Sequence, residues 1–234
     1  MGRAAELRAA YTLRWRRRRL LAQSFAKRRQ IAAVADRTAD IAPTDILVFS
    51  TMRNEMGRLP HFLRHHRAMG VNHFLIVDND SDDGTRDYLA TQPDVSLWTT
   101  PDSYRKARFG MDWLTVLLAR YGHEHWCLTL DADELFVYAH HDVRNLHALT
   151  DWLDATDRAS MGALMLDLYP EGPLGASTAQ DDPTRILTHF DAGNYLMIPT
   201  ARGFDSVRAS QVYQLLIHSL WDVREDQHGG GDHA

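Results

Sequence analysis

Short apolar runs alternate with helix-like segments over most of this 234-residue chain. Strands that are apolar on both faces and separated by helices are typical of a mostly parallel sheet with helices on each side. The sequence therefore predicts an α/β fold. The five predicted strands are DILVFST (45–51), NHFLIVD (72–78), DVSLWTT (94–100), HWCLTLD (125–131) and GALMLDLY (162–169).

Helical periodicity fills the intervals between these runs. Apolar residues recur at helical spacing over 58–70, where Gly70 is the expected stop, and over 110–121. A short helix is predicted after Gly84, and a longer one around Leu146, Leu149 and Leu153. A last helix is expected over 209–221.

Charge divides the chain into two regions. Residues 1–40 contain eleven Lys and Arg against three acids, whereas the remainder carries a net negative charge. We expect a basic helical extension and linker over 1–42, with Pro43 marking the start of the globular part. The α/β domain is then expected over 43–222, shortened at its C-terminal side, and a disordered tail over 223–234.

Two interpretations of the basic segment 3–34 stay open. The first is a solvated helix that packs loosely on the domain. The second is an amphipathic helix that contacts the headgroups of an anionic membrane. A nucleic-acid-binding role is not expected, because the acidic remainder supplies no second basic surface.

Cysteine content and hydropathy exclude several classes of protein. The single cysteine, Cys127, lies inside an apolar run, which predicts a buried side chain and excludes an internal disulfide framework. No stretch reaches the roughly 18 apolar residues of a membrane-spanning helix, and no apolar core of a signal peptide follows the arginines at 16–19. We expect a protein of the reducing cytoplasm.

Polar residues cluster where the predicted strands end. Asn54 and Glu55 follow the first strand, Asp78 ends the second, and Asp131 and Asp133 come at the end of the fourth. Ligands of parallel α/β sheets bind beyond the carboxyl ends of the strands. We therefore expect these groups to lie around one site.

The pair Asp131 and Asp133 has a spacing that suits a metal ion. Residues i and i+2 of a strand point the same way, and paired carboxylates suit Mg²⁺ or Mn²⁺. Because Mg²⁺ takes few protein ligands and completes its shell with water and phosphate oxygens, a ligand that carries phosphate is expected as well.

Four motifs, FSTMRNE, IVDNDSDDGT, YRKARFGMDW and LTLDADELF, occur in this order. With them, residues 45–172 resemble the family 2-type glycosyltransferases with the GT-A fold, in the bacterial branch whose second strand ends in V-D-N-x-S-x-D-G-T. The resemblance implies transfer of a sugar from a nucleotide-sugar donor. It places Mn²⁺ or Mg²⁺ on Asp131 and Asp133. The donor contacts it implies are Thr51, Arg53, Asn54, Glu55, Asp78, Asp131 and, near the ribose or diphosphate, Arg108.

Other roles and alternatives stay open. Arg108 has a competing interpretation as a surface residue paired with Asp112. An inverting transferase needs a general base, for which Asp167 and Glu171 are the nearest acids, although no motif match supports either.

The acceptor is unknown; the resemblance suggests surface polysaccharide synthesis at the inner face of the cell membrane. The alternatives are a sugar-phosphate nucleotidyltransferase, for which STMRNEMGR (50–58) is a poor phosphate loop, and a shortened, non-catalytic donor-binding module.

Overall fold

The computed structural model describes residues 3–163, 165–171, 182–190, 196–199, 205–208 and 214–218. The predicted tail over 223–234 lies outside them. The helices in the described part are α1 Arg3–Ala26, α2 Leu59–Met69, α3 Thr85–Thr91, α4 Met111–Tyr121, α5 Leu146–Ala155 and α6 Pro183–Ile186. The strands are β1 Ala32–Ala35, β2 Leu47–Met52, β3 His73–Asp78, β4 Val95–Thr99, β5 Trp126–Thr129, β6 Ser160–Ala163, β7 Leu168–Tyr169, β8 His189–Phe190, β9 Leu196–Pro199, β10 Asp205–Arg208 and β11 Gln214–His218.

Within the described part of the chain, seven strands form the main sheet, in the order β1-β4-β3-β2-β5-β11-β6. The four central strands, β4, β3, β2 and β5, run parallel to one another. The outer strands β1, β11 and β6 join antiparallel to their neighbours. The carboxyl ends of the four parallel strands therefore meet at one edge, and the predicted α/β fold is confirmed.

Each face of the sheet carries its own core, because alternate residues of a strand point to opposite faces. On one face, Val48, Phe74 and Leu128 pack with buried leucines of α2, α3 and α5. On the other, Phe49 and Leu75 pack with Trp113 and other residues of α4. This double cover explains why the central strands read as continuous apolar runs.

Several predicted boundaries are confirmed. Helix α2 ends at Gly70, whose φ of 102° is the left-handed conformation that glycine adopts readily. Cys127 is buried, as predicted, and burial raises the pKa of its thiol to about 12, so the group stays protonated. Among the described helices, none combines the length and apolar character needed to cross a bilayer.

Two predicted elements are wrong. The helix expected over 209–221 contains a strand instead, since residues 214–218 pair with both β5 and β6. The single strand expected over 162–169 is divided, because β6 belongs to the main sheet while β7 pairs with β8 in a separate one. Short apolar runs fit a helix or a strand equally well until their partners are known, which explains both errors.

The N-terminal extension is more closely joined to the domain than a loose helix would be. Residues 11–19 of α1 are exposed, but Ser24, near its end, is buried. Strand β1 then pairs with β4, the outermost of the parallel strands. The Arg37 side chain donates to the carbonyl oxygens of Val95 and Ala90, each at 2.8 Å. The sequence did not predict β1, because its side chains are mostly exposed and main-chain pairing holds it.

The buried carboxylate of Asp112, in the first turn of α4, anchors the end of α1. It accepts hydrogen bonds from Ser24 (2.9 Å), Gln23 (3.2 Å) and Lys27 (2.5 Å), and Arg108 donates to it at 2.7 Å. Burial by itself would raise the pKa of Asp112, but the hydrogen bonds from Lys27, Arg108 and Ser24 outweigh it and hold the pKa below its usual value. Two cations and two neutral donors thus fix α1 to α4.

Candidate active site

The loops that follow β2 and β3 are joined into one unit at the carboxyl edge of the sheet. Side-chain oxygens on each side accept hydrogen bonds from main-chain N–H groups on the other, so the two loops support each other. Asn54 has a left-handed backbone conformation, with φ 56°. Its main-chain N–H and its side-chain oxygen both form hydrogen bonds with the loop after β3. The four hydrogen bonds are Asn54 N to Ser81 Oγ, Glu55 N to Thr85 Oγ1, Met56 N to Asp83 Oδ2 and Asp82 N to Asn54 Oδ1.

Asp78, at the end of β3, is fully buried below these loops. Its Oδ2 accepts from the Ser81 N–H at 3.2 Å and lies 3.5 Å from Thr99 Oγ1. Its Oδ1 has no hydrogen-bond partner among the described residues, and neither does the buried Oγ1 of Thr51. A buried oxygen without a hydrogen-bond partner is costly, so a ligand that supplies one would be favoured here. Asp78 Oδ1 could accept a hydrogen bond from such a ligand, and Thr51 Oγ1 could accept or donate one.

The acids after β5 lie on a turn rather than on the strand itself. The strand ends at Thr129, two residues earlier than predicted. Leu130 and Ala132 are nevertheless buried while Asp131 and Asp133 are exposed, so the two carboxylates still face solvent on the same side of the turn. Glu134 closes the turn, because its Oε2 accepts from the Asp131 N–H at 2.7 Å.

Four carboxylates, Glu55, Asp131, Asp133 and Glu134, form what we call the acidic rim. Burial raises the pKa of Glu55, and the charge of Asp133 adds to this effect, although the hydrogen bond from Arg58 opposes it. Restricted solvation also raises the pKa of Asp131, again with Asp133 as the second cause. Burial raises the pKa of Glu134 to about 7, with Asp131 and Asp133 contributing. Limited solvation, with repulsion among the acids as a smaller cause, therefore disfavours the charged forms of these three carboxyl groups.

The raised pKa of Glu134 predicts that the protein loses stability as pH rises. An acid whose pKa is higher in the folded than in the unfolded state favours folding at low pH, and this contribution is lost between about pH 4.5 and about pH 7. The variant Glu134→Gln cannot ionise, so it lacks the free-energy cost of charging this carboxyl group as pH rises. We expect its unfolding free energy, relative to wild type, to rise by about 2 kcal/mol from pH 4 to pH 8.

Urea unfolding with a chelator present measures this difference. Glu124→Gln is the control, since Glu124 is 84 % exposed and lies away from the rim. A difference between Glu134→Gln and wild type that stays constant with pH would contradict the assignment.

Tyr104 and Gly110 complete the rim on the side of α4. Burial raises the pKa of Tyr104, and the charges of Asp131, Asp133 and Glu134 add to it, which places the phenol beside the acids. Gly110 has φ 77°, and a Cβ there would lie 2.9 Å from Thr51 Cβ and 2.9 Å from Tyr104 Cε2. The rim therefore depends on a residue without a side chain at this position.

Gly110 and Gly84 offer a matched pair of substitutions. Both precede a helix in the left-handed conformation, but a Cβ on Gly84 meets nothing within 4 Å. Gly84→Ala should therefore lose about 1 kcal/mol for backbone strain alone. Gly110→Ala should lose about 3 kcal/mol, because the contacts with Thr51 and Tyr104 add overpacking. Urea midpoints at equal m-values measure the difference, and equal losses would contradict the overlap.

The remaining predicted site residues lie apart from the acidic rim or have no described contact with it. Arg53 is exposed on the loop after β2. Arg108 donates to Asp112 and, at 3.0 Å, to Ser24 Oγ, so its guanidinium points to the end of α1. Asp167 and Glu171 are exposed, and their role as general base stays a prediction.

The acidic rim can hold a divalent cation only with help from a ligand. Among the described residues, no three His, Cys, Asp or Glu side chains are grouped as a complete metal site. Mg²⁺ and Mn²⁺ fit such a rim, since one or two carboxylates suffice when water and phosphate oxygens supply the rest. A cation there would relieve the repulsion that Asp133 exerts on Glu55, Asp131 and Glu134.

The sequence pattern missed three parts of this arrangement. Tyr104 gave no signal beyond its place in the third motif, and Gly110 was predicted only as the start of a helix. Neighbouring histidines of α2, His65 and His66, also contact the segment after the acids. Their adjacency in the chain was the available signal.

Comparisons with known proteins add little to this geometry. No protein-family model matches the chain, and no curated protein matches it in sequence. The solved structures that resemble it include that of 4-diphosphocytidyl-2C-methyl-D-erythritol synthase, with 12 % identity and a TM-score of 0.36 over 75 % of this chain and 76 % of that one. A likeness this distant carries no argument about chemistry.

Proposed function

We propose that the protein is a metal-dependent glycosyltransferase that moves a sugar from a nucleotide-sugar donor to an acceptor. The observation that carries the proposal is the acidic rim, where several carboxylates with raised pKa values converge at the carboxyl edge of a parallel sheet. Such an edge is where α/β sheets bind ligands. The four sequence motifs point to the same chemistry.

In this proposal Asp131 and Asp133 hold Mn²⁺ or Mg²⁺ against the donor diphosphate. The bound cation would supply neutralisation of the negative charge that develops on the departing nucleoside diphosphate. The exposed side chains of the turn leave room for phosphate oxygens beside them. Glu134 holds the turn through the Asp131 N–H and so orients the first of the two carboxylates.

The nucleoside is proposed to bind between the loops that follow β2 and β3, against Thr51, Arg53, Asn54, Glu55 and Asp78. The unpaired oxygens of Asp78 and Thr51 support this placement, because a base or ribose offers the hydrogen bonds they lack. Asp78 is fully buried, so the base would reach it only after the joined loops shift.

Arg108 would serve the diphosphate after a change of partner. Its guanidinium is now shared between Asp112 and Ser24, and a donor phosphate would compete with these groups for the same donors. Deprotonation of the acceptor hydroxyl, in an inverting mechanism, is assigned to Asp167 or Glu171. Both are exposed and so accessible to an acceptor.

We also propose that the basic segment 3–34 contacts the anionic lipid headgroups at the inner face of the cell membrane. The exposed arginines 16–19 go round the helix rather than along one side, and the exposed apolar side chains do not form one continuous stripe, since Tyr11 and Trp15 share a face, with ring centroids 6.2 Å apart, while Leu13 lies on another. The contact would therefore be electrostatic. Co-sedimentation with phosphatidylserine vesicles at low and high salt tests it, since binding should disappear at high salt.

Two other functions are kept as alternatives, a sugar-phosphate nucleotidyltransferase and a non-catalytic donor-binding module. Incubation with Mn²⁺ and a panel of sugar nucleotides separates the three. Metal-dependent release of nucleoside diphosphate supports the transferase, and release of pyrophosphate from a nucleoside triphosphate and a sugar phosphate supports the nucleotidyltransferase. Binding without release supports the module, and absence of binding contradicts all three.

A further inference from the structure

Two neighbouring histidines of α2 contact the same residue of the segment that follows the acidic rim. His65 Nε2 lies 3.0 Å from the carbonyl oxygen of Phe136, and the Phe136 N–H donates to His66 Nε2 at 3.4 Å. Both polar groups of one main-chain residue are therefore bound by adjacent side chains of one helix. We call His65, His66 and Phe136 the histidine clamp.

The partners of each ring determine where its proton lies. His66 Nδ1 is 2.9 Å from the Phe62 carbonyl oxygen, which can only accept, so Nδ1 carries the proton and Nε2 is free to accept. Burial lowers the pKa of His66 to about 3, which keeps the ring neutral. His65 faces a carbonyl with Nε2 and must carry its proton there. The two rings thus have opposite proton arrangements.

The clamp lies on the segment that carries the acidic turn. Residues 130–138 form neither helix nor strand, so hydrogen bonds of regular secondary structure do not fix them. Phe136 follows Asp133 by three residues, and its ring is buried in the core beside α2. The Leu130 N–H donates to Phe49 O at 3.1 Å and fixes the start of the segment. The clamp fixes its other end.

We propose that His65 and His66 are positioning residues that set the geometry of the Asp131–Glu134 turn for its metal and diphosphate. This inference rests on the proposed function. Metal ligands that are held by supporting contacts lose about 10- to 100-fold in affinity when those contacts are removed. The rings do not touch the rim carboxylates; they act through the main chain of Phe136.

The test compares alanine with glutamine at each position. Glutamine can place an N–H near His65 Nε2 or an oxygen near His66 Nε2, whereas alanine offers neither. We expect His65→Ala and His66→Ala to weaken Mn²⁺ binding, measured by electron paramagnetic resonance with a sugar nucleotide present, by about 10-fold or more. His65→Gln and His66→Gln should recover most of this loss.

His125→Ala is the matched control for His65→Ala, because His125 is also half-buried and its Nδ1 lies 2.9 Å from a main-chain carbonyl oxygen, that of Asp45. It precedes β5 and so lies at the opposite edge of the sheet. The control should leave Mn²⁺ affinity unchanged even if it lowers the melting temperature. Equal affinity in the alanine variants and wild type would overturn the proposal, as would equal losses in alanine and glutamine variants.

A second measurement separates this inference from the proposed function. Amide hydrogen exchange at residues 131–136 reports the clamp without any metal, and ¹⁵N spectra of the histidines report the proton on His66 Nδ1. If wild type binds no Mn²⁺ yet His66→Ala speeds exchange at Phe136, the proposed function fails and the clamp stands. If His66→Ala leaves that exchange unchanged, the clamp itself is refuted.

Discussion

Asp133→Ala should reduce metal-dependent release of nucleoside diphosphate by about 100-fold or more. The carboxylate is exposed on the turn after β5, and its charge contributes to the raised pKa of Glu55, Asp131 and Glu134, so it lies centrally among the rim acids. Loss of one group that stabilises charge developing in a transition state costs a factor of about 10² to 10³ in rate.

The same substitution should not destabilise the fold. Removing one of several like charges relieves repulsion, and Asp133 makes no described hydrogen bond with its side chain, so the urea midpoint should stay constant or rise slightly. Asp151→Ala, on the exposed side of α5, is the control and should retain full activity. Full activity of Asp133→Ala with saturating Mn²⁺ would remove the basis for the transferase assignment.

Asp112→Asn should lose about 3 kcal/mol in the free energy of unfolding. The carboxylate is fully buried and accepts from four side chains, two of them cations. The neutral side-chain amide of asparagine cannot compensate the positive charges of Lys27 and Arg108. Its NH₂ group, itself a donor, would replace an oxygen that now accepts hydrogen bonds. Both cations retain some contact with water, which keeps the loss below that of a wholly buried pair.

Asp87→Asn is the matched control for this variant. Asp87 occupies the first turn of α3, as Asp112 occupies the first turn of α4, but it is exposed. The control therefore loses only its interaction with the helix dipole, about 0.5 kcal/mol. Limited proteolysis should also cleave near residues 20–30 faster in Asp112→Asn. Equal losses in the two variants would mean that Asp112 does not anchor α1.

The sequence was most informative where burial sets the pattern. The central strands and α2, α4 and α5 were predicted within a few residues, since apolar periodicity records which face is buried. Strand β1 could not be found in this way, because main-chain pairing with β4 holds it and its side chains are mostly exposed. Strand β11 was missed because its short apolar stretch, residues 215–217, does not reveal the strands that pair with it on its two sides.

For the candidate site, the sequence located the loops but not their internal contacts. Asp78, Glu55, Asp131 and Asp133 were expected at one edge because parallel strands end there, and the four central strands do end there. The pairing of Arg108 with Asp112, four residues apart, was one of the two interpretations from the sequence, but the contact of Arg108 with Ser24, 84 residues away in the chain, was not predicted. Contacts of that separation leave no periodic trace.

Strand β1 has a consequence for how the protein can be shortened. Without β1, the unpaired main-chain groups of β4 would form an open border of the main sheet, and such borders recruit strands from other molecules. Arg37 would no longer occupy the carbonyl oxygens of Val95 and Ala90. In the full chain the edge strand is β1 itself, which is only four residues long and has an irregular register, and such an edge recruits other strands less readily. We therefore expect a truncated chain that begins at residue 43 to precipitate at concentrations where the full chain stays dispersed.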